Sequence, residues 1–453
     1  MTDLQTSKER PGQKLGLLMC VALGMGNMIG SGVFLLPRDL APLGWNAVIG
    51  WGVSIAGTLC LAVALARLAK KLPGGSATYT YAAAAFGPGT GFVVAWSYWI
   101  SCWTVVATLA VAAISNLSIL VPSLGNGGVW TALIAIGFIW LFTLVNLMGV
   151  RRAGGAQMLT LGLKLIPVVG AVLVALWLLG TGDAPTPTMA RTQPVSLDNI
   201  GTAATLTLFA LLGFESSCVV GDRVCDPERT VPRATLIAAA ATGLLYLLSC
   251  TTVTLLLPLE TLEASNAAYA TYFGTLVSPS AGQAVALFAA IAALGALNGF
   301  VLLQGEIPRD LAHRRLLPTA FARDNRFAVP WFTQIVSSTL ASLVVYANYS
   351  RGLAELFKFM VLVTTSTAII FYIFGALAAL KLERNGTIQA SPTFVVLTVL
   401  GFLYSCWAFY GAGWEASLWS VCLTAAGLPI YLFMRSRTAP ASTPFGSEEA
   451  PVA

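Results

Sequence analysis

Apolar positions along this chain neither alternate nor fall on a single helical stripe; they form unbroken runs separated by short polar connections. Residues 44–66 carry no charged side chain, and neither do residues 86–150. Either run exceeds the roughly 20 residues that cross a hydrocarbon core as a helix. A segment in lipid must satisfy its own backbone, so helix is the default, and the alternating segments of a membrane barrel are missing. The pattern predicts an all-α membrane protein with twelve spans, at about 15–40, 44–66, 86–117, 129–148, 155–179, 199–221, 234–258, 281–305, 330–347, 357–379, 393–410 and 414–434. Residues 71–85 (KLPGGSATYTYAAAA) predict a Pro-Gly-Gly turn and an interfacial helix leading into the third span. Residues 1–14 form a polar N-terminal segment, too polar for a cleaved signal. Residues 436–453 are expected to be a disordered tail, because they are small, polar and proline-bearing.

Composition agrees with lipid as the solvent. Hydrophobic residues make up 57% and charged residues 10% of the chain, where a soluble domain carries roughly a quarter charged. The net charge of +6 forms no basic stripe, so nucleic acid is not an expected partner. The basic residues sit instead in alternate connections: Lys8, Arg10 and Lys14; Arg67, Lys70 and Lys71; Arg151 and Arg152; Arg223, Arg229 and Arg233; Arg309, Arg314, Arg315, Arg323 and Arg326; Lys381 and Arg384; Arg435 and Arg437. The opposite side holds only Arg38, Arg191, Arg351 and Lys358. This bias places both termini in the cytoplasm, with the chain in the plasma membrane, the inner membrane of a bacterium. His313 is the only histidine and none of the 8 cysteines forms a CxxC pair, so no metal, cofactor or disulfide framework is expected. No convergent set of His, Asp or Glu suggests an enzyme.

Function is written where the helices should break. Four glycines and an asparagine lie within residues 24–32 (GMGNMIGSG) of span one, about fifteen residues or roughly 22 Å beyond Lys14. Close packing of small residues against a neighbouring helix is one reading. The other is an interruption lining a cavity, where glycine lets backbone groups face a ligand. Span six offers a partner in residues 209–217 (FALLGFESS), with Glu215 as a membrane-embedded carboxylate; the alternative is a glutamate near a helix end. Paired breaks predict five-plus-five inverted repeats, residues 15–179 and 199–379, with two extra helices at 393–434. Free N–H groups near Ser31 and Gly32 would take an α-carboxylate, and free carbonyls near Phe209 and Ala210 an α-ammonium. Such a site reads as amino acid recognition.

Lys164 lies too deep in span five for an ordinary end-of-helix lysine. It gains and loses a proton, coupling transport to the proton gradient, or acts as a permanent cation tethering span one through carbonyl hydrogen bonds, or snorkels toward the interface. Phe209, Phe300 and Trp103 are candidates to enclose a substrate side chain, with Ser101 and Asn298 as polar contacts; helix packing is the alternative for each. Thr364, Thr365, Ser366 and Thr367 form a hydroxyl cluster in span ten that would join the cavity or bond between helices.

Residues 26–37 (GNMIGSGVFLLP), 73–79 (PGGSATY), 98–103 (YWISCW), 213–216 (GFES) and 309–323 together resemble the amino acid–polyamine–organocation superfamily, in particular its bacterial basic amino acid/polyamine antiporter branch. The resemblance extends over residues 12–435. It implies alternating-access transport of amino acids, with polyamines as a further class and a monomer or homodimer as the assembly. The carboxylate would bind at Ser31 and Gly32, flanked by Asn27 and Ile29, and the amino group at Phe209 and Ala210, flanked by Leu212. Ser101, Cys102, Trp103, Asn298, Phe300 and Thr365 would line the remainder, and Glu215 would gate. The arginine/agmatine exchangers have tryptophans in the places of Phe209 and Phe300, and asparagine at Val106; these departures fit a smaller or less polar substrate. Lys164 is similar to members that move neutral amino acids, some of them with protons. Exchange and proton-coupled symport of neutral amino acids both stay open, with a channel or a membrane-embedded enzyme as different-class alternatives.

Overall fold

The computed structural model describes residues 16–30, 32–72, 77–125, 127–149, 153–183, 185, 193–215, 227–388 and 391–437. These form helices joined by short connections. In chain order they are α1 (Leu17–Met28), α2 (Gly32–Leu40), α3 (Trp45–Lys71), α4 (Ala77–Phe86), α5 (Pro88–Leu117), α6 (Val129–Leu147), α7 (Ala153–Thr181), α8 (Leu197–Leu211), α9 (Pro227–Leu256), α10 (Leu259–Glu263), α11 (Ala268–Leu276), α12 (Pro279–His313), α13 (Trp331–Ala347), α14 (Leu353–Arg384), α15 (Pro392–Gly411), α16 (Gly413–Ala425) and α17 (Gly427–Arg437). Among the described residues nine helical segments are long and apolar enough to span a membrane, and the bent pair α1–α2 makes a tenth. α8 and α13 are shorter apolar helices.

The apolar runs locate the helices to within a few residues. α12 continues beyond the expected end of span eight, carrying Arg309 and His313 within the helix. α4 occupies the place of the expected interfacial helix, while residues 73–76, the turn before it, lie outside the described residues. α10 and α11, between α9 and α12, have no forerunner in the pattern, since each is under ten residues and falls between the long apolar runs. α17 ends at Arg437; the rest of the expected tail is outside the described residues, as are residues 1–15.

Burial separates an inner from an outer set. The apolar stretch of α5 is 94% buried within the protein and that of α14 is 72%, against 22% for the segment made by α16 and α17. α5 and α14 are therefore the axis of the bundle, and the two last helices face lipid. With no hydrophobic drive between helices in a membrane, small residues and hydroxyls supply the contact. A Cβ on Gly50 would meet Ala203 Cβ at 2.5 Å, so α3 lies directly against α8. Ser54 Oγ donates to the Ala204 carbonyl (2.9 Å) and pairs with Thr207 (2.7 Å), and Tyr404 donates to Ser54 (3.1 Å), joining α3, α8 and α15. Thr143 and Gln304 both bond Ser338 (2.7 and 2.9 Å), joining α6, α12 and α13.

Candidate functional site

α1 stops at Met28, and the next residues leave the helix. The Ile29 N–H still donates to the Met25 carbonyl, but ψ of Ile29 is 82°, and the Gly30 N–H turns back to the Met28 carbonyl (2.7 Å). The chain restarts as α2 at Gly32, bent by 53°. The interruption is shorter than the glycine run suggests: Gly24 and Gly26 remain helical, and Asn27 sits in the last turn. Ser31 lies outside the described residues. A Cβ on Gly30 would contact Ala296 and Leu109 at 3.9 Å, so the break faces α12 and α5. The first N–H groups of α2, like those of any helix start, have no partner within the helix.

The second interruption closes α8. Leu212 leaves the helix with ψ 141°, its N–H turning back to the Phe209 carbonyl (3.2 Å), and Gly213 takes φ +98°, a conformation open to glycine and costly for L side chains. The Phe209 carbonyl keeps a second lone pair for a further donor. Residues 216–226, where the second half of span six was expected, lie outside the described residues.

The two interruptions meet. A Cβ on Gly213 would lie 3.3 Å from the Asn27 carbonyl oxygen, and one on Gly32 would lie 2.6 Å from Cε1 of Phe209. The absence of side chains at both glycines therefore lets the α1–α2 break rest on the end of α8. Ile29, Cys102, Trp103, Phe209 and Ala210 belong to one continuous buried cluster, with Leu212 and Phe300 packed against it.

Each break is also gripped from outside. Lys164, 4% exposed on α7, donates from Nζ to the Gly26 carbonyl (3.3 Å), and Tyr246 on α9 donates to the Met28 carbonyl (3.2 Å). Glu215 is an acceptor for three groups: the hydroxyl of Tyr98 on α5 (2.7 Å), the hydroxyl of Tyr372 on α14 (3.1 Å) and the N–H of Gly213 (3.2 Å). The other expected contacts divide. Trp103 buries its indole N–H without an acceptor. Ser101 donates to the carbonyl of Tyr98 in its own helix (2.7 Å), and Thr365 likewise to Val361 (2.7 Å). Asn298 already has a protein partner, accepting from Asn146 of α6 at 2.8 Å. Thr364 bonds Thr104 (2.9 Å), so at least this member of the hydroxyl cluster ties α14 to α5. Phe209 packs edge-on to Phe357. Among the described residues no three His, Cys, Asp or Glu side chains gather to hold a metal.

A break in the first span, a break before a buried glutamate and a central third span occur here in one chain whose residues 15–425 match the family described as Amino acid permease. The chain belongs to the amino acid permease family. This permease is thus a membrane transporter of amino acids or related amines. It is 28% identical to the putrescine transporter PotE of Haemophilus influenzae, over 93% of this chain and 97% of that one. It is 27% identical to the putrescine transporter PotE of Escherichia coli K12, over 92% and 95%. The similarity to the cadaverine/lysine antiporter of Escherichia coli K12 is 29%, over 88% and 90%. In the permease, Tyr246, Tyr372, Asn146 and the partnership of Tyr98 with Glu215 escaped sequence reasoning. A lone tyrosine or asparagine in an apolar run gives no sign of which distant carbonyl or carboxylate it reaches.

Proposed function

We propose that this permease exchanges zwitterionic amino acids with apolar or small side chains by alternating access. The α-carboxylate docks on the N–H groups at the start of α2, around Ser31 and Gly32, and the α-ammonium docks on the carbonyls at the end of α8, around Phe209 and Ala210. The observation that carries this reading is the contact of the two breaks, Gly213 on Asn27 and Phe209 on Gly32. Ile29, Trp103, Phe209 and Phe300 supply the wall for the substrate side chain, and the unpaired indole N–H of Trp103 is a donor for the bound substrate. Glu215 gates, holding the span-six break to α5 and α14 when its tyrosines are engaged. The topology that serves this cycle has twelve spans, both termini in the cytoplasm, and two inverted five-helix repeats followed by two extra helices. Nine long spans, the bent pair and the two shorter helices α8 and α13 support that number.

A diamine is the second reading, favoured by the printed names of the relatives, putrescine transporter and cadaverine/lysine antiporter. Its two ammonium groups call for carboxylates, and of the site residues only Glu215 has one, with three hydrogen bonds already accepted. That occupancy favours the zwitterion. Proton-coupled symport is the alternative mode, favoured by buried Lys164.

The test is uptake of radiolabelled alanine, leucine, lysine, arginine, putrescine and glutamate into proteoliposomes, with and without internal substrate and with and without a pH gradient. Alanine or leucine exchange that needs internal substrate is the expected outcome. Putrescine uptake alone would overturn the zwitterion reading. Replacing Gly32 with Leu should abolish equilibrium binding while folded protein remains; normal affinity would remove the carboxylate dock.

A further inference from the structure

A cavity lies on the outer side of the bundle and is lined by none of the candidate transport-site residues. It is a groove of about 370 Å³ between α3, α9 and α15, lined by Leu59, Cys60 and Val63, by Ile237 and Ala240, and by Leu397. Its walls are wholly apolar, yet it lies between helices that are held together elsewhere by hydroxyls and small residues. That volume falls within the roughly 300–1,000 Å³ of ligand pockets.

The two ends of the groove differ. At one end α3 and α9 are pinched, since a Cβ on Gly243 would lie 2.6 Å from Cγ1 of Ile55, and Tyr404 of α15 rests directly on Gly57. At the other end stand Arg67 and Arg233. Leu59, Val63 and Arg67 repeat at four-residue steps, and Arg233, Ile237 and Ala240 at steps of four and three, so each arginine continues the stripe that lines the groove. The Arg67 guanidinium lies 5.4 Å over the ring of Phe394, which sets the end of α3 beside the start of α15. Among the described residues neither arginine makes an ion pair or a hydrogen bond to protein.

Length identifies the occupant. From Ile55 to Arg67 the helix rises about 18 Å, and from Gly243 to Arg233 about 15 Å. Half of a hydrocarbon core is roughly 15 Å. The strip of helix surface from the pinch to the arginines is therefore about one leaflet long, and the groove lies along its middle, over about one turn each of α3 and α9, with cationic side chains continuing the strip at its outer end. We propose that it binds one acyl chain of an anionic phospholipid, whose headgroup phosphate is held by Arg67 and Arg233. The leaflet is the cytoplasmic one if the charge bias of the connections sets the orientation.

Native mass spectrometry of the full-length protein with phosphatidylglycerol or phosphatidylcholine of matched chains tests this. Preferential retention of phosphatidylglycerol is expected, and R67Q with R233Q should weaken it about thirtyfold, the effect of two arginines beside an anionic headgroup. Ala240→Phe, which fills the slot and leaves both arginines, should weaken retention of phosphatidylglycerol as well, so the site stays testable should the double variant fail to fold. Equal retention of the two lipids, or no change in either variant, would overturn the site. Competition by free glycerol phosphate as strong as by the lipid would assign the arginines to a soluble anion instead. A protein dimer lost on Ala240→Phe would assign the groove to a second copy.

Discussion

The broken pair α1–α2 and the end of α8 solve the same problem with opposite chemistry. The break between α1 and α2 is made of small and apolar residues, and its loosened backbone is held through carbonyl oxygens, by the ammonium of Lys164 and the hydroxyl of Tyr246. The break after α8 hinges on one residue, Gly213 at φ +98°, and is held through an acceptor, Glu215, which collects two tyrosine hydroxyls and a backbone N–H. In lipid each freed polar group must find a partner. The first break draws donors from α7 and α9, and the second sends an acceptor to α5 and α14. Movement of either would have to exchange partners with a different pair of helices.

Removing the acceptor should have the largest effect. Glu215→Ala leaves three donors in a buried place, each costing about 1–3 kcal/mol when unpaired, and exchange in proteoliposomes should fall on the order of a hundredfold. A wild-type rate at equal incorporation would show that the second break needs no such anchor. Lys164 comes next. Lys164→Met removes a charge-assisted bond worth about 1.5–3 kcal/mol and should lower exchange by roughly tenfold to a hundredfold. Lys164→Arg separates its two roles: a tether keeps most of its rate and its response to an imposed pH gradient, whereas a proton carrier loses that response.

The hinge of the second break should be more tolerant. Gly213→Ala forces an L residue into the left-handed region at about 1–2 kcal/mol, and its methyl meets the Asn27 carbonyl, so roughly a tenfold fall is expected. Unchanged transport would mean that the positive φ is not kept through the cycle. Smallest is Tyr246→Phe, which deletes one neutral bond worth about 0.5–1.5 kcal/mol and should raise KM severalfold. If it matched Lys164→Met, the comparison would change, with the hydroxyl rather than the ammonium holding the first break.

Much of this was legible along the chain. The glycines of residues 24–32 marked the first interruption, although Gly24 and Gly26 stay helical and the described helix ends only at Met28, because glycine alone weakens a helix without ending it. The pair Gly213 and Glu215 marked the place where α8 has ended, while the expected second half of span six lies outside the described residues. For Asn298 and the hydroxyls of span ten the sequence left open a cavity role or bonding between helices, and the structure gives Asn298 the amide of Asn146 and gives Thr364 the hydroxyl of Thr104. Pairing across more than a hundred residues leaves no trace in local spacing. The connecting helices α10 and α11 were missed for a different reason: they are short and lie outside the long apolar runs.

Solvent, helix positions and the existence of two weak points belong to the sequence alone, because each follows from local hydrophobicity and from glycine's freedom along a single segment. Which groups occupy the freed carbonyls and N–H groups belongs to the tertiary structure. Lys164 reaches Gly26, Tyr98 and Tyr372 converge on Glu215, and Gly32 accepts the ring of Phe209 only when helices distant in sequence are packed side by side. A polar group in lipid must be satisfied by something, and only packing decides by what.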